Sequence, residues 1–253
     1  MILCIDIGNT STKMARVGGA SVRDMMSRPR AATNDQLARL MRRVARDGVD
    51  AAAIASVRPG ATGAVRAMIR RDLGFEPLVV TSRVDLPIEI ATRRPARVGV
   101  DRICAACGAL PGSARDAIII DAGSAITVDL VLDRRFLGGL IMAGPQLSMK
   151  ALHQFTAQLP DLNLSDVPGD AYDDTVPAMQ TGAIVGAAGA IEAAVELLLQ
   201  RTGKRKVPVW LTGGHAPRLE NRLPSRWKYM PGLTLLGLAE IARHGQAARR
   251  SGR

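Results

Sequence analysis

Continuous apolar runs and a glycine turn mark the clearest structural element of the chain, residues 117–132. This stretch, AIIIDAGSAITVDLVL, starts as an isoleucine-rich run, turns at Asp121-Ala-Gly123-Ser124 and continues as a second β-rich run. Two such runs joined by a short turn predict a buried strand and a returning strand. Gly123 would let the backbone approach a ligand closely.

The same pattern opens the chain at residues 2–17, ILCIDIGNTSTKMARV. One constant offset aligns Asp6 with Asp121, Gly8 with Gly123, Asn9 with Ser124 and Thr12 with Thr127. We interpret the pair as a duplicated hairpin, one copy in each half of the chain, facing a shared cleft. The alternative is two unrelated hairpins that both use an Asp-x-Gly turn.

Helical and strand patterns alternate along the rest of the chain, which predicts an α/β fold. A capping box at Thr33 and Gln36 should start the first helix, and Thr181-Gly182 should start a later helix rich in small residues. Residues 156–175 read as an irregular polar loop, and Thr212-Gly213-Gly214 as a turn after a strand. We expect domains at residues 1–112 and 113–244, followed by a disordered basic tail at residues 245–253.

Composition narrows the class of protein. The 253 residues, 47% of them hydrophobic, suffice for two domains with real cores. No uninterrupted apolar run approaches the roughly 20 residues of a membrane span, and Asp6 and Asn9 interrupt any leader-like segment, so we expect a cytoplasmic protein without a membrane partner. Cys4, Cys104 and Cys107 lie in apolar surroundings and are expected to be buried reduced thiols, because no second pair completes a zinc site.

The net charge of +11 has three explanations that the sequence leaves open. It could serve nucleic-acid binding, attract an anionic substrate, or reflect an arginine-rich genome. The arginines are scattered in pairs and no dense basic block with interleaved aromatic residues occurs. Nucleic acid is therefore the less favoured partner.

The two hairpin turns carry residue types that suit a nucleotide site. Glycines expose backbone amides to phosphates, hydroxyls and amides bind phosphate oxygens, and carboxylates hold Mg²⁺ directly or through water. The first turn supplies Asp6, Ile7, Gly8, Asn9, Thr10, Ser11, Thr12 and Lys13, and the second supplies Asp121, Gly123 and Ser124. No P-loop sequence is present, which argues against a Walker-type NTPase.

A carboxylate and a guanidinium stand side by side at Asp101-Arg102, near a predicted helix start. A helix start attracts anions, and a carboxylate there can serve as a general base. The alternative is that Asp101 merely caps its helix, and the sequence alone favours that alternative.

The ordered set of motifs resembles one branch of the actin-like ATPase and sugar-kinase superfamily, the type III pantothenate kinases. The resemblance runs from about residue 2 to residue 243. It rests on Asp6-Ile-Gly-Asn-Thr10, Val98-Gly-Val-Asp101-Arg102, Asp121-Ala-Gly-Ser-Ala-Ile-Thr127, Gly138-Gly139, Thr175 with Met179-Gln-Thr-Gly182, and Thr212-Gly-Gly214.

This resemblance implies two duplicated RNase H-like domains with a cleft between them, and a homodimer. It implies ATP-dependent phosphorylation of pantothenate to 4'-phosphopantothenate, the first step of coenzyme A biosynthesis, with Mg²⁺ and with K⁺ or NH₄⁺ as cofactors. Catalysis would consist mostly of positioning and charge neutralisation.

The resemblance also implies a role for each matching residue. Asp6 to Lys13 and Ser124 would bind ATP, with Asp6 also at Mg²⁺, directly or through water. Asp101 would be the general base, while Gly99, Val100, Asp101, Arg102 and Thr175 would contact pantothenate. Asp121 would bind the monovalent cation.

Three positions depart from the family pattern. Thr92 stands about where the family has a tyrosine that lines the pantothenate site. Asp121-Ala-Gly-Ser124 replaces Asp-Phe-Gly-Thr and keeps a hydroxyl, and Ala143-Gly144-Pro145 replaces the usual Pro-Gly. Two alternatives therefore stay open: an ATP-binding regulatory or accessory protein without kinase activity, and a kinase of the same fold acting on another hydroxylated small molecule.

Overall fold

The structure, a computed structural model, describes residues 1–164, 173–203 and 206–250. It forms two compact units. Unit 1 comprises Met1–Asp116, Val131–Gly138 and Gly232–Arg253, and unit 2 comprises Ala117–Leu130 and Gly139–Pro231. The final helix thus groups with unit 1, although we had expected it in the second domain, and the domain limits 1–112 and 113–244 stay a prediction.

The secondary structure alternates strands and helices. The strands are β1 (Ile2–Ile7), β2 (Ser11–Gly18), β3 (Ser21–Pro29), β4 (Ala51–Ser56), β5 (Leu78–Val79), β6 (Glu89–Ile90), β7 (Ala117–Ala122), β8 (Ala125–Leu132), β9 (Arg135–Ala143), β10 (Val209–Thr212) and β11 (Lys228–Tyr229). The helices are α1 (Asn34–Ala45), α2 (Pro59–Leu73), α3 (Val100–Gly108), α4 (Pro145–Phe155), α5 (Thr175–Thr202), α6 (Ala216–Leu219) and α7 (Leu233–Arg250).

The two sheets repeat one strand order, which supports the predicted duplication. The first sheet has the order β3-β2-β1-β4-β5, and the second has β9-β8-β7-β10-β11 with β6 added beside β9. In each sheet the central strand also pairs in parallel with a later strand, β4 in the first and β10 in the second. The predicted α/β class is confirmed.

The turn of the second hairpin is one residue shorter than that of the first. The amide of Gly8 donates to the Ser11 carbonyl, three residues on, whereas the amide of Gly123 donates to the Ala125 carbonyl, two residues on. After the turn, the alternation of buried and exposed residues in β2 matches that in β8 when Lys13 is aligned with Thr127. The constant offset that aligned Thr12 with Thr127 is therefore wrong beyond the turn.

Helix α1 forms where its capping box predicts. The Thr33 hydroxyl accepts from the Gln36 amide at 3.3 Å, and the Gln36 side chain accepts from the Thr33 amide at 2.9 Å. Leu37, Met41 and Val44 then bury one face of the helix in the core of unit 1, against β1, β4 and α2. This helix thus covers the sheet that ends at the first turn.

Helix α5 starts earlier than predicted, at Thr175, because the Asp174 carboxylate accepts from the Thr175 amide at 2.6 Å and caps the helix there. Thr181 and Gly182 consequently lie inside the helix. Within the described residues α5 is the one helix long and apolar enough to span a membrane by length and composition, a test that core helices of soluble proteins also pass. Residues 165–172 of the expected irregular loop lie outside the described residues.

The basic tail is largely helical in the structure. Helix α7 continues to Arg250, so the expectation of disorder from residue 245 is wrong for residues 245–250, and residues 251–253 lie outside the described residues. The helix persists because its earlier turns are anchored by Leu235, Leu238 and Ile241, each at most 1% exposed.

Candidate active site

The first turn, in unit 1, places polar groups at the end of β1. Asp6 is half-buried and sits opposite Lys13 in the β1–β2 register. Asn9 and Thr10 are exposed at the tip of the turn, and Ser11 is half-buried. The side chains of Ile7 and Thr12 are buried instead, which leaves only their backbone for a contact with phosphate.

The second turn, in unit 2, has the same local design. Asp121 is half-buried at the end of β7, and Ser124 is exposed at the tip. Gly144 lies against this turn, since its amide donates to the Ser124 carbonyl at 2.9 Å and a Cβ there would stand 2.6 Å from the same oxygen. The altered Ala143-Gly144-Pro145 segment therefore keeps the glycine that this close approach requires.

The Thr212-Gly213-Gly214 turn packs directly on the end of β7. Thr212 pairs with Asp121 in the parallel register, and Gly213 has a φ of +104° with no room for a Cβ beside Ala122. The His215 amide donates to the Ala122 carbonyl at 2.8 Å. This turn and the second hairpin thus form one assembly within unit 2.

His215 is a residue that the sequence did not single out. Its Nδ1 is buried and has no hydrogen-bond partner within the described part of the chain. Burial, and secondarily the positive charge of Arg218, lowers the pKa of His215 below its ordinary value. The imidazole beside the glycine turn is therefore neutral at pH 7.

Asp101 lies in the first turn of α3, but it is not the N-cap. The N-cap is Gly99, which makes no side-chain capping bond, and Asp101 Oδ1 accepts from the Arg102 amide at 2.9 Å. A Cβ on Gly99 would stand 2.5 Å from that oxygen, so a glycine here makes room for the carboxylate. Asp101 Oδ1 thus accepts a hydrogen bond at the start of the helix, and Oδ2 takes no part in that bond.

Asp6 and Asp101, both in unit 1, act on one buried thiol. The pKa of Cys104 is raised well above its ordinary value by burial first, then by the neighbouring charges of Cys107, Asp6 and Asp101. All three cysteines are buried and unpaired, as predicted, and burial raises the pKa of Cys107 to about 12.

Thr92, which stands about where the type III pantothenate kinases have a tyrosine, lies beside β9. The Ala91 amide donates to the Phe136 carbonyl at 2.9 Å, and a Cβ on Gly138 would stand 3.6 Å from the Thr92 methyl. The Arg102 guanidinium rests over the Phe136 ring, 5.6 Å from its centroid. Thr92 Oγ1 is buried, with no hydrogen-bond partner among the described residues.

The remaining predicted substrate residues lie at two helix starts. Val100 is buried at the start of α3 and Gly99 is half-buried, so Asp101 and Arg102 are the polar side chains of that segment. Thr175 is exposed at the first position of α5, in unit 2.

Comparison with known proteins identifies the family. The family model described as type III pantothenate kinase matches residues 2–197. The chain belongs to this family. A type III pantothenate kinase from Hyphomonas neptunium is 35% identical over 95% of this chain and 98% of its own length. Another, from Caulobacter vibrioides, is 34% identical over 98% of this chain and 99% of its own.

Solved structures support the actin-like fold of this type III pantothenate kinase family member. A protein from Campylobacter jejuni, described as a candidate Baf family transcriptional activator, matches with a TM-score of 0.61 at 20% identity, covering 97% of this chain and 99% of that one. A ROK family glucokinase from Streptomyces griseus, in complex with glucose and AMPPNP, matches with a TM-score of 0.53 at 11% identity, covering 96% and 99%. At these identities the likeness shows the fold alone, a two-domain actin-like α/β fold.

Proposed function

We propose that this protein transfers the γ-phosphoryl group of ATP to the hydroxyl of pantothenate, forming 4'-phosphopantothenate in the first step of coenzyme A biosynthesis. The observation that carries the proposal is the family match over residues 2–197, which includes both hairpin turns and the Asp101 segment. A cytoplasmic location, where ATP is available, is part of the proposal.

Asp101 is the general base of the proposed reaction. Asp101 Oδ2 takes the proton of the acceptor hydroxyl while the hydroxyl oxygen forms a bond to the γ-phosphorus, and the bond from that phosphorus to the bridging oxygen of ADP breaks. Arg102 holds the acceptor beside Asp101. Gly99 and Val100 contribute backbone at the same segment, and Thr175 contributes a hydroxyl.

The first turn and Ser124 hold ATP. The first turn offers an amide, hydroxyls and an ammonium group to phosphate oxygens. These groups belong to exposed Asn9 and Thr10 and to half-buried Ser11 and Lys13. Asp6 offers carboxylate oxygens of the kind that suit Mg²⁺, directly or through water. When bound, that ion neutralises charge on the phosphates.

Asp121 holds a monovalent cation, K⁺ or NH₄⁺. Its carboxylate lies near the end of β7, next to the Thr212-Gly213-Gly214 turn, and supplies oxygens of the kind that bind such a cation. Activity in K⁺ or NH₄⁺ compared with Na⁺ alone, in the wild type and in Asp121→Asn, measures this role.

A homodimer is supported by exposed apolar residues and open glycines of unit 2. Phe155 of α4 is 79% exposed and Ile141 of β9 is 63% exposed. On α5, a Cβ at Gly182, Gly186 or Gly189 would meet no described atom within 4 Å. Small residues at such spacing permit another helix to approach closely. We propose that a second copy of the chain packs against this surface of α5. The molar mass in solution of the wild type and of Gly186→Leu tests it.

An ADP-release assay with pantothenate and ATP decides the main proposal. Turnover with pantothenate supports it. ATP binding without turnover of any hydroxylated acid would favour the regulatory alternative. Because Thr92 replaces the family's tyrosine, turnover of a different hydroxylated acid in preference to pantothenate would favour the second alternative.

A further inference from the structure

Three exposed arginines precede the acceptor-binding segment, and no acid among the described residues pairs with them. Arg93, Arg94 and Arg97 are exposed, and none of their guanidinium groups forms an ion pair or hydrogen bond within the described residues. Between Ala91 and Arg102 the sequence has four arginines and a single acid, Asp101. We name Arg93, Arg94 and Arg97 the arginine rim.

Arginines on other elements of unit 1 can be compensated by neighbouring acids, and helix α2 is an example. On α2, Arg66 and Arg70 both pair with Glu76, and Arg71 pairs with Asp72. Closer to the rim, the carboxylate of Glu89 is already paired with Arg135 at 2.9 Å. The rim therefore keeps its full positive charge, although an acid lies only a few residues before it.

The backbone of the rim is fixed relative to Asp101. On one side, the Ala91 amide is anchored to the Phe136 carbonyl. On the other, the Arg97 amide donates to the Arg94 carbonyl at 3.0 Å and forms a 3₁₀ turn, after which the chain enters α3 at Gly99. The rim thus stands at a constant distance from the start of α3, whose own positive end adds to the local field.

We propose that the arginine rim selects an acceptor that carries a carboxylate and concentrates it at Asp101. The proposal rests on the proposed function, because pantothenate is a hydroxylated carboxylate. Exposed charges that attract a small anion raise its encounter rate and local concentration, and salt weakens this attraction. The rim contributes no group to the chemical step, so it acts on kcat/KM for the acceptor and not on kcat.

The test compares two variants that lose the same formal charge. R93Q/R94Q/R97Q removes the rim, while R39Q/R43Q/R83Q removes three other exposed arginines of unit 1 that have no role in the proposed site. Each is assayed at low and high ionic strength, with pantothenate and with an analogue whose carboxylate is replaced by a primary amide. The KM for ATP is measured in parallel.

We expect the rim variant to lose about tenfold in kcat/KM for pantothenate at low salt, with the loss shrinking at high salt. The amide acceptor, kcat and the KM for ATP should change by less than about twofold, as should every value in the control variant. Equal losses on both acceptors, equal losses in both variants, or unchanged kcat/KM in the rim variant would overturn the rim's role. A wild type that never phosphorylates pantothenate would overturn the proposed function as well, so the two failures are distinguishable.

Discussion

Gly237 of α7 lies directly against the carbonyl group of Cys104 in α3. A Cβ on Gly237 would stand 2.6 Å from the Cys104 carbonyl carbon and would overlap its oxygen. Gly108, at the end of α3, meets the Leu233 carbonyl in the same way. The two helices therefore touch backbone to backbone, and the placement of Asp101 at the start of α3 depends on this contact.

Gly237→Ala should destabilise the protein. The added methyl has no space and backbone cannot move aside cheaply, so we expect a loss of about 1–3 kcal/mol in the free energy of unfolding. Denaturant unfolding measures it. Gly245→Ala is the matched control in the same helix, where a Cβ meets nothing within 4 Å and a gain of about 0.5–1 kcal/mol is expected. Similar effects at both positions would contradict the backbone contact.

The sequence predicts those elements whose signal is local. The β1–β2 and β7–β8 hairpins are continuous apolar runs around a glycine turn, and the α1 capping box needs only Thr33 and Gln36. The sequence does not predict strand β3, because β3 is a mostly exposed edge strand whose polar residues resemble those of a loop. The pairing of Gly108 with Gly237 could not be predicted, since it joins glycines that lie far apart in the chain.

The candidate site divides in the same way. Asp6 and Asp121 lie near the ends of recognisable strands, and Asp101 lies at the start of a recognisable helix. Their motifs could therefore be found from the sequence. The second hairpin lacks one turn residue, which becomes visible in the hydrogen bond from Gly123 to Ala125 and in the burial pattern of β8. His215 carries no motif of its own, and its buried, unpartnered Nδ1 depends on packing.

The pH dependence of stability should contain a step from His215. Burial lowers its pKa in the folded state, so below about pH 6.5 the unfolded chain takes up a proton that the folded chain does not. The contribution of His215 to the free energy of unfolding is therefore fully present above that pH. It is lost as the pH falls toward the lower pKa of the folded state. Melting temperatures between about pH 7.5 and 5 should show a smaller decrease in His215→Gln than in the wild type. A His153→Gln control should keep the wild-type decrease, and an identical decrease in His215→Gln would refute the assignment.

Asp6→Asn should abolish phosphoryl transfer while leaving the fold intact. The side chain is half-buried at the end of β1, and the substitution removes one negative charge that would hold Mg²⁺ without changing the size of the group. ADP release and the melting temperature together measure this. Asp35→Asn, an exposed carboxylate of α1 in the same unit, should keep full turnover. Near-normal turnover in Asp6→Asn would remove Asp6 from the metal and phosphate site.

Asp101→Asn separates general-base catalysis from the hydrogen bond that Asp101 Oδ1 accepts from the Arg102 amide. Asparagine keeps an oxygen that can accept from the Arg102 amide, as Asp101 Oδ1 does at 2.9 Å, so the melting temperature should change little. It cannot take a proton from the acceptor hydroxyl, and general-base help is typically worth about 10²–10⁴-fold in rate. We therefore expect kcat with pantothenate to fall by about that factor while ATP binding stays nearly unchanged.

If Asp101 serves only α3, through its hydrogen bond with the Arg102 amide, Asp101→Asn should leave kcat unchanged, because asparagine can accept the same bond. Asp101→Ala provides the second comparison, since it removes both the base and the acceptor of the Arg102 amide. If Asp101 acts as the base, Asp101→Asn and Asp101→Ala should lose kcat alike, and only Asp101→Ala should also lose stability, by about 0.5–2 kcal/mol. An Asp101→Asn enzyme with wild-type kcat would show that this carboxylate stabilises α3 and takes no part in the chemistry.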